Sequence, residues 1–153
     1  KPISMCQPIN KQYEYKGAVT LVDGLKGNGN YKTGRWIAFY KNDLEAIIDL
    51  TKEEEISKVD FTTCVEKGDW VFDARSVEIL LSDDGNVFKT VAEENYPEMK
   101  ESDRNGLYNH TISFPAEKAK FVKIKIAPEH KIPEWHGGKG NNGFLFIDEI
   151  EIN

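Results

Sequence analysis

The chain has 153 residues, and its 26 acidic side chains outnumber the 20 basic ones for a formal net charge of -6. That length suits one domain with a core large enough to need no disulfide or metal staple, and the acidic balance excludes a basic face for nucleic-acid phosphates or anionic membranes. No apolar run approaches the roughly 18 residues of a membrane span, and the opening KPISMCQPIN lacks a charged-then-apolar signal pattern.

Residues 1–12 begin without Met and carry Pro2 and Pro8 among polar residues, so they are expected to be a lead-in from a preceding domain, with the module itself at 13–153. Leu21-Val22-Asp23-Gly24 then enters a Gly- and Asn-rich loop, 25–35, and Trp36 within RWIAFY is expected in the core. From there period-two alternation dominates. AIIDL and ISKVDFTTCVE flank the acidic TKEEEIS, which reads as a solvated connector, and RSVEILLS, NVFKTVAE, YNHTISFP, KFVKIKIA and FLFIDEIEI follow. In KFVKIKIA, Val122, Ile124 and Ile126 are separated by Lys123 and Lys125, which gives the strand one dry and one wet face. Gly85 in Asp83-Asp84-Gly85 can take the positive φ of a tight hairpin. Trp70 in GDWVFD is expected half-buried at a strand start. Two further long loops, 94–106 and 128–143, complete a chain with no helical period of useful length, so the fold class is all-β.

The stretch IPEWHGGKGNNG holds a literal G-x-G-x-x-G at Gly138, Gly140 and Gly143. A dinucleotide turn must leave into a helix whose N–H groups face pyrophosphate, and this one leaves into a strand. Asp148 and Glu149 are neighbours on one strand and face opposite ways, unlike the opposed carboxylates of a glycosidase. Nucleophile elbows and closely spaced His ligands are absent, so the chain is not expected to be an enzyme. Cys6 and Cys64 lack metal or redox spacing and form either one disulfide or two thiols, of which free thiols are expected.

Aromatic and polar recognition remains. A pyranose offers an apolar C–H face and a rim of hydroxyls, which an exposed aromatic plate and surrounding charged or amide groups can hold. Trp135 with His136 and Asn141 in the Gly-rich loop, joined by Arg75 and Tyr31 from other loops, is the candidate carbohydrate site, chosen on chemistry and loop placement.

Five motifs then fall in one order: Leu21-Val22-Asp23-Gly24; Trp36; Ile48-Asp49-Leu50; Ser82-Asp83-Asp84-Gly85 followed by Phe88; and Phe144-Leu145-Phe146-Ile147-Asp148-Glu149-Ile150. In that order, from about Tyr13 to Asn153, they resemble the factor V/VIII type C (discoidin-like) domain. More closely, they resemble the family 32 carbohydrate-binding modules appended to bacterial β-N-acetylhexosaminidases, the putative chitobiases. The resemblance implies a galactose-binding-like jelly roll, an antiparallel β-sandwich with loops gathered at one end. It also implies a structural Ca²⁺, for which Asp23 and Glu149 match the family's Asp and final-strand Glu, and Asn28 or Thr33 stands where a further side-chain oxygen is needed.

The sequence therefore reads as a monomeric, non-catalytic module that holds galactose- or N-acetylhexosamine-type glycans for an attached glycoside hydrolase, outside the cytoplasm. The alternative is a structural or protein-binding sandwich packed on its parent enzyme, with no sugar site. A lipid-binding role ranks last, because the loops lack apolar spikes with cationic neighbours.

Overall fold

A computed structural model describes residues 1–153, and seven strands build it: β1 (Ile3–Met5), β2 (Ile37–Phe39), β3 (Leu44–Val65), β4 (Ser76–Ser82), β5 (Lys89–Asn95), β6 (Gly106–Ala127) and β7 (Leu145–Ile152). Helical structure is confined to short 3₁₀ turns, the longest at Gly17–Val22, and no helix is long and apolar enough to cross a membrane.

The architecture follows from β3 and β6, which run antiparallel for 22 residues each. In β3 the side chains of Leu44, Ala46, Ile48 and Leu50 are buried in alternation, and in β6 those of Val122, Ile124 and Ile126 answer them. Between Asp49 and Glu54 the register slips, and Thr51 turns to a φ of 71° while its N–H donates to Asp49 Oδ1 at 2.7 Å. A second slip lies between Ile56 and Lys58. These irregularities bend the paired strands, as bulges do, so that one continuous sheet folds over on itself. The first half of β3 lies with β1 and with the second half of β6, next to β4 and β5; the second half lies with the first half of β6 and with β7 and β2. Ile37, Phe39, Phe61, Ile79, Ile112, Leu145 and Ile147 from both layers close on one core. The result is the predicted all-β antiparallel sandwich.

Two expectations need correction. TKEEEIS is no connector: pairing continues through Glu54, Glu55 and Ile56, and polar side chains face water while the backbone ladder carries the bend. The lead-in is not wholly outside the fold, because Ile3, Ser4 and Met5 pair with Ile48, Ile47 and Ala46. Both cysteines are free, Cys6 exposed and Cys64 buried, as expected.

The two ends of β6, the end of β3 and the starts of β4 and β7 bring the loops 66–75, 96–105 and 128–144 together. A small apolar knot of Val65, Phe72, Met99 and Ile132 fastens them, with Trp70, Tyr108 and Trp135 packed against it. Gly138 must be glycine here, since a Cβ would stand 2.6 Å from the Trp70 ring. The glycine motif thus serves close approach of a loop to an indole.

Candidate ligand-binding site

Trp135 sits in this knot. Its indole N–H donates to Met99 O at 2.9 Å, its ring lies beside Phe72, and Lys67 Nζ stands 5.6 Å from its centroid. The Lys67 ammonium is itself held by the carbonyls of Glu101 and Asp103. Capped and hydrogen-bonded, Trp135 is a loop anchor, which corrects its expected role as an open plate. His136 is equally committed: Nε2 lies 2.7 Å from Lys67 O and Nδ1 accepts the Gly138 N–H at 2.8 Å, so both ring nitrogens are engaged by backbone.

The other expected contacts lie apart. Asn141 is exposed in the same loop and donates through Nδ2 to Gly138 O at 3.0 Å. Arg75 is locked to Glu129 by bonds of 3.1 and 2.8 Å and donates through Nε to Tyr96 O at 3.0 Å. Tyr31 is buried, 7% exposed, with its ring against Tyr13 and Phe146 and its hydroxyl donating to Asp69 Oδ2 at 2.7 Å. Burial and the Asp69 carboxylate raise that phenol above its ordinary range. A ring so enclosed presents no face to a sugar, so Tyr31 is a core residue. Trp36 is fully buried and Trp70 half-buried, as expected.

An open aromatic is present nonetheless. Tyr15 is 49% exposed and stands at a groove of about 400 Å³ shared with Lys16, Thr20, Asp23, Thr33 and Arg35. Its φ of 46° lies in the left-handed region, and the neighbouring Tyr13 and Gly34 brace its ring, with Tyr15 Cδ1 3.6 Å from where a Gly34 Cβ would lie. Lys16 and Arg35 are exposed, and neither makes an ion pair within the chain. Thr20 is 2% exposed and its Oγ1 has no hydrogen-bond partner. The only sequence signal for this groove was Y-E-Y-K-G, an aromatic pair closed by a glycine, and it lay outside every predicted strand.

One wall of the groove adjoins the residues matched to the calcium site. Glu149 is 5% exposed and its Oε2 accepts the Gly24 N–H at 3.0 Å. Burial, and then the hydrogen-bonded Asp23 carboxyl beside it, push its carboxyl up to about 8. Asp148 is 1% exposed, takes the Gly27 N–H on Oδ2 at 2.8 Å and leaves Oδ1 without a partner. Two carboxyls in contact, Asp23 exposed and Glu149 buried, fit a hard cation completed by backbone carbonyls. Asp23 and Glu149 fit that role. Asn28 is otherwise engaged, its Oδ1 accepting the Asn30 N–H at 2.9 Å and its carbonyl the Trp36 indole N–H at 3.0 Å, and Thr33 faces the groove. No group of three His, Cys, Asp or Glu side chains forms a metal cluster on its own.

The model of the F5/8 type C domain family matches residues 6–145. No curated protein matches the chain. Among solved structures, the fold is similar to CpGH89CBM32-5 from Clostridium perfringens, solved in complex with GalNAc-β-1,3-galactose, at 19% identity and a TM-score of 0.60 over 99% of this chain and 93% of that one. It is similar to the family 32 carbohydrate-binding module of NanJ from C. perfringens, in complex with galactose, at 19% identity and a TM-score of 0.60 over 99% and 91%. The family 32 module of AlyQ, in complex with 4,5-unsaturated mannuronic acid, aligns at 16% identity and a TM-score of 0.58 over 99% and 93%. With the family model spanning both layers and the loops between them, the chain belongs to the F5/8 type C domain family.

Proposed function

We propose that the chain is a non-catalytic carbohydrate-binding module in which a pyranose lies on Tyr15, keeping an attached extracytoplasmic glycoside hydrolase near its glycan. The observation that carries this reading is the exposed Tyr15 ring at the mouth of a groove with free cations and hydroxyls. An apolar C–H face on the ring and hydroxyls on the rim groups is the division of labour such a ligand needs. The solved neighbours with bound sugars support the class of ligand. One shallow aromatic contact gives weak binding, about 1 mM to 10 μM, and tethering to a catalytic domain makes that sufficient by raising local substrate concentration. Ca²⁺ held by the exposed Asp23 and the buried Glu149 would offset the cost of burying the Glu149 carboxylate and stiffen the loop that forms one wall.

Titration of galactose, N-acetylgalactosamine and N-acetylglucosamine oligosaccharides into the chain and into Tyr15→Ala tests the reading. Millimolar or tighter binding that Tyr15→Ala abolishes without lowering Tm upholds it. The half-buried Trp135 ring, tied to Met99 O and Phe72, favours the second reading, a sandwich that packs on its parent enzyme, and absence of any glycan binding at millimolar concentration would select it.

A further inference from the structure

We infer that Asn28-Gly29 is a self-modification site, at which the fold leaves the Gly29 amide free to attack the Asn28 carboxamide and, with water, convert it to aspartate and isoaspartate. The inference stands whether or not the Tyr15 groove holds a sugar.

The chain carries three Asn-Gly pairs, Asn28-Gly29, Asn105-Gly106 and Asn142-Gly143. A glycine after Asn leaves its own backbone N open to approach, so by sequence the three are equal. The structure separates them. Asn105 is tied at both ends of its carboxamide, with Oδ1 accepting the Lys67 N–H at 3.0 Å and Nδ2 donating to Glu66 Oε1 at 3.2 Å, and Gly106 lies in β6 opposite Val65. Asn142 Oδ1 lies 3.2 Å from His130 Nδ1, and the Gly143 N–H donates to Glu129 O at 2.7 Å.

Asn28 and Gly29 are both exposed, and the Gly29 N–H has no acceptor in the chain. Asn28 Oδ1 accepts the Asn30 N–H at 2.9 Å, an Asx turn that lays the carboxamide along the Gly29 peptide. The fold also needs its other two glycines. Gly106 has a φ of 116°, and a Cβ on Gly143 would stand 2.9 Å from the Phe72 ring. Gly29 has neither a positive φ nor any atom within 4 Å of where its Cβ would lie.

In the reaction, Gly29 N loses its proton to solvent base and bonds to Asn28 Cγ. The Cγ–Nδ2 bond breaks and ammonia leaves, giving a cyclic imide. Water then opens the imide at Cγ, which restores the chain with an aspartate, or at the main-chain carbonyl, which reroutes the chain through Cγ as isoaspartate. Either product adds a negative charge to the loop that supplies Leu25, Thr33 and Arg35 to the Tyr15 groove. Aspartate keeps the acceptor for the Asn30 N–H. Isoaspartate instead lengthens the main chain and puts its free carboxylate where the Asn28 carbonyl accepts the buried Trp36 indole N–H at 3.0 Å. Gly27 beside it is pinned by its N–H to Asp148 Oδ2 at 2.8 Å, so the longer chain has to distort a loop held at both points.

The test incubates the chain and Gly29→Ala in heavy-oxygen water at mildly alkaline pH, folded and in urea. Peptide mapping by mass spectrometry and an isoaspartate-specific methyltransferase are the readouts. In the folded chain, label is expected to enter residue 28 at least about tenfold faster than residues 105 and 142, whose peptides must first break hydrogen bonds. In urea the three rates should converge. Gly29→Ala should slow conversion at residue 28 by at least about tenfold and leave Tm unchanged. Asn28→Asp should melt as the wild type does, and the isoaspartate fraction, separated by ion exchange, should melt lower. Conversion at residue 105 or 142 as fast as at 28 in the folded chain overturns the inference. So does a folded chain that stays unlabelled at residue 28 while the unfolded one converts, or a Gly29→Ala that converts at the wild-type rate. An isoaspartate fraction that melts as the wild type does overturns the account of the pinned loop.

Discussion

Replacing Trp135 with alanine separates an anchor from a ligand plate. In the fold the indole is half-buried against Phe72 and gives its N–H to Met99 O at 2.9 Å, a bond that ties loop 128–144 to loop 96–105. A fully buried Trp→Ala change removes about 3–5 kcal/mol, and partial exposure brings the expectation here to about 2–3 kcal/mol, the indole hydrogen bond supplying about 1 kcal/mol of it. For a domain of this size each kcal/mol moves Tm by about 2–4 °C, so Trp135→Ala should lower Tm by about 4–12 °C and Trp135→Phe, which keeps most of the packing, by about 2–4 °C. Thermal melts by circular dichroism measure both, and isothermal titration on the same samples below their Tm measures glycan affinity. Trp135→Phe is expected to bind as the wild type does. The reasoning is refuted if Trp135→Ala leaves Tm unchanged while glycan binding disappears, because the indole would then be serving the ligand and not the loops.

Adding Ca²⁺ at about one hundred times its Kd should stabilise the fold by about 2.7 kcal/mol, or about 5–11 °C in Tm. Glu149→Gln and Asp23→Ala should abolish the shift, and a Tm indifferent to Ca²⁺ and to chelator would remove the metal from the account. Arg75→Ala should lower Tm without changing glycan affinity. It leaves Glu129, 3% exposed at its side chain, without its ion pair; breaking a buried pair costs about 3–5 kcal/mol, and the 36% exposure of the Arg75 side chain argues for about 2 kcal/mol. Restoration of Tm in the double variant Arg75→Met, Glu129→Leu would locate that loss in the stranded carboxylate, whereas a loss of affinity in Arg75→Ala would return Arg75 to the binding site.

The strands were legible because burial in a sandwich writes itself into alternation. Leu44, Ala46, Ile48 and Leu50, and Val122, Ile124 and Ile126, could be assigned to one dry face from spacing, and the register confirms the pairing. The bend was not legible, because the ladder breaks after Asp49 and resumes at Glu54 through the backbone, which carries no side-chain signature. The loop site was half-legible. A Trp among Pro and Gly marks a loop, but what closes its ring comes from Met99 and Lys67, far away in the chain. Tyr15 carries no such sequence signal, for the converse reason. Its openness results from a left-handed backbone beside Gly34 and Tyr13, and no periodic pattern announces an aromatic that stays out of the core. Tyr31, the neighbouring tyrosine in composition and setting, was drawn inside by Asp69.

Because β3 and β6 each pass through both layers, the body has no cleavage plane along which one half could slide or peel from the other. Force applied at one edge is shared by covalent chain as well as by side-chain contact. A load applied at the loop rim is therefore carried by the whole block rather than by one layer.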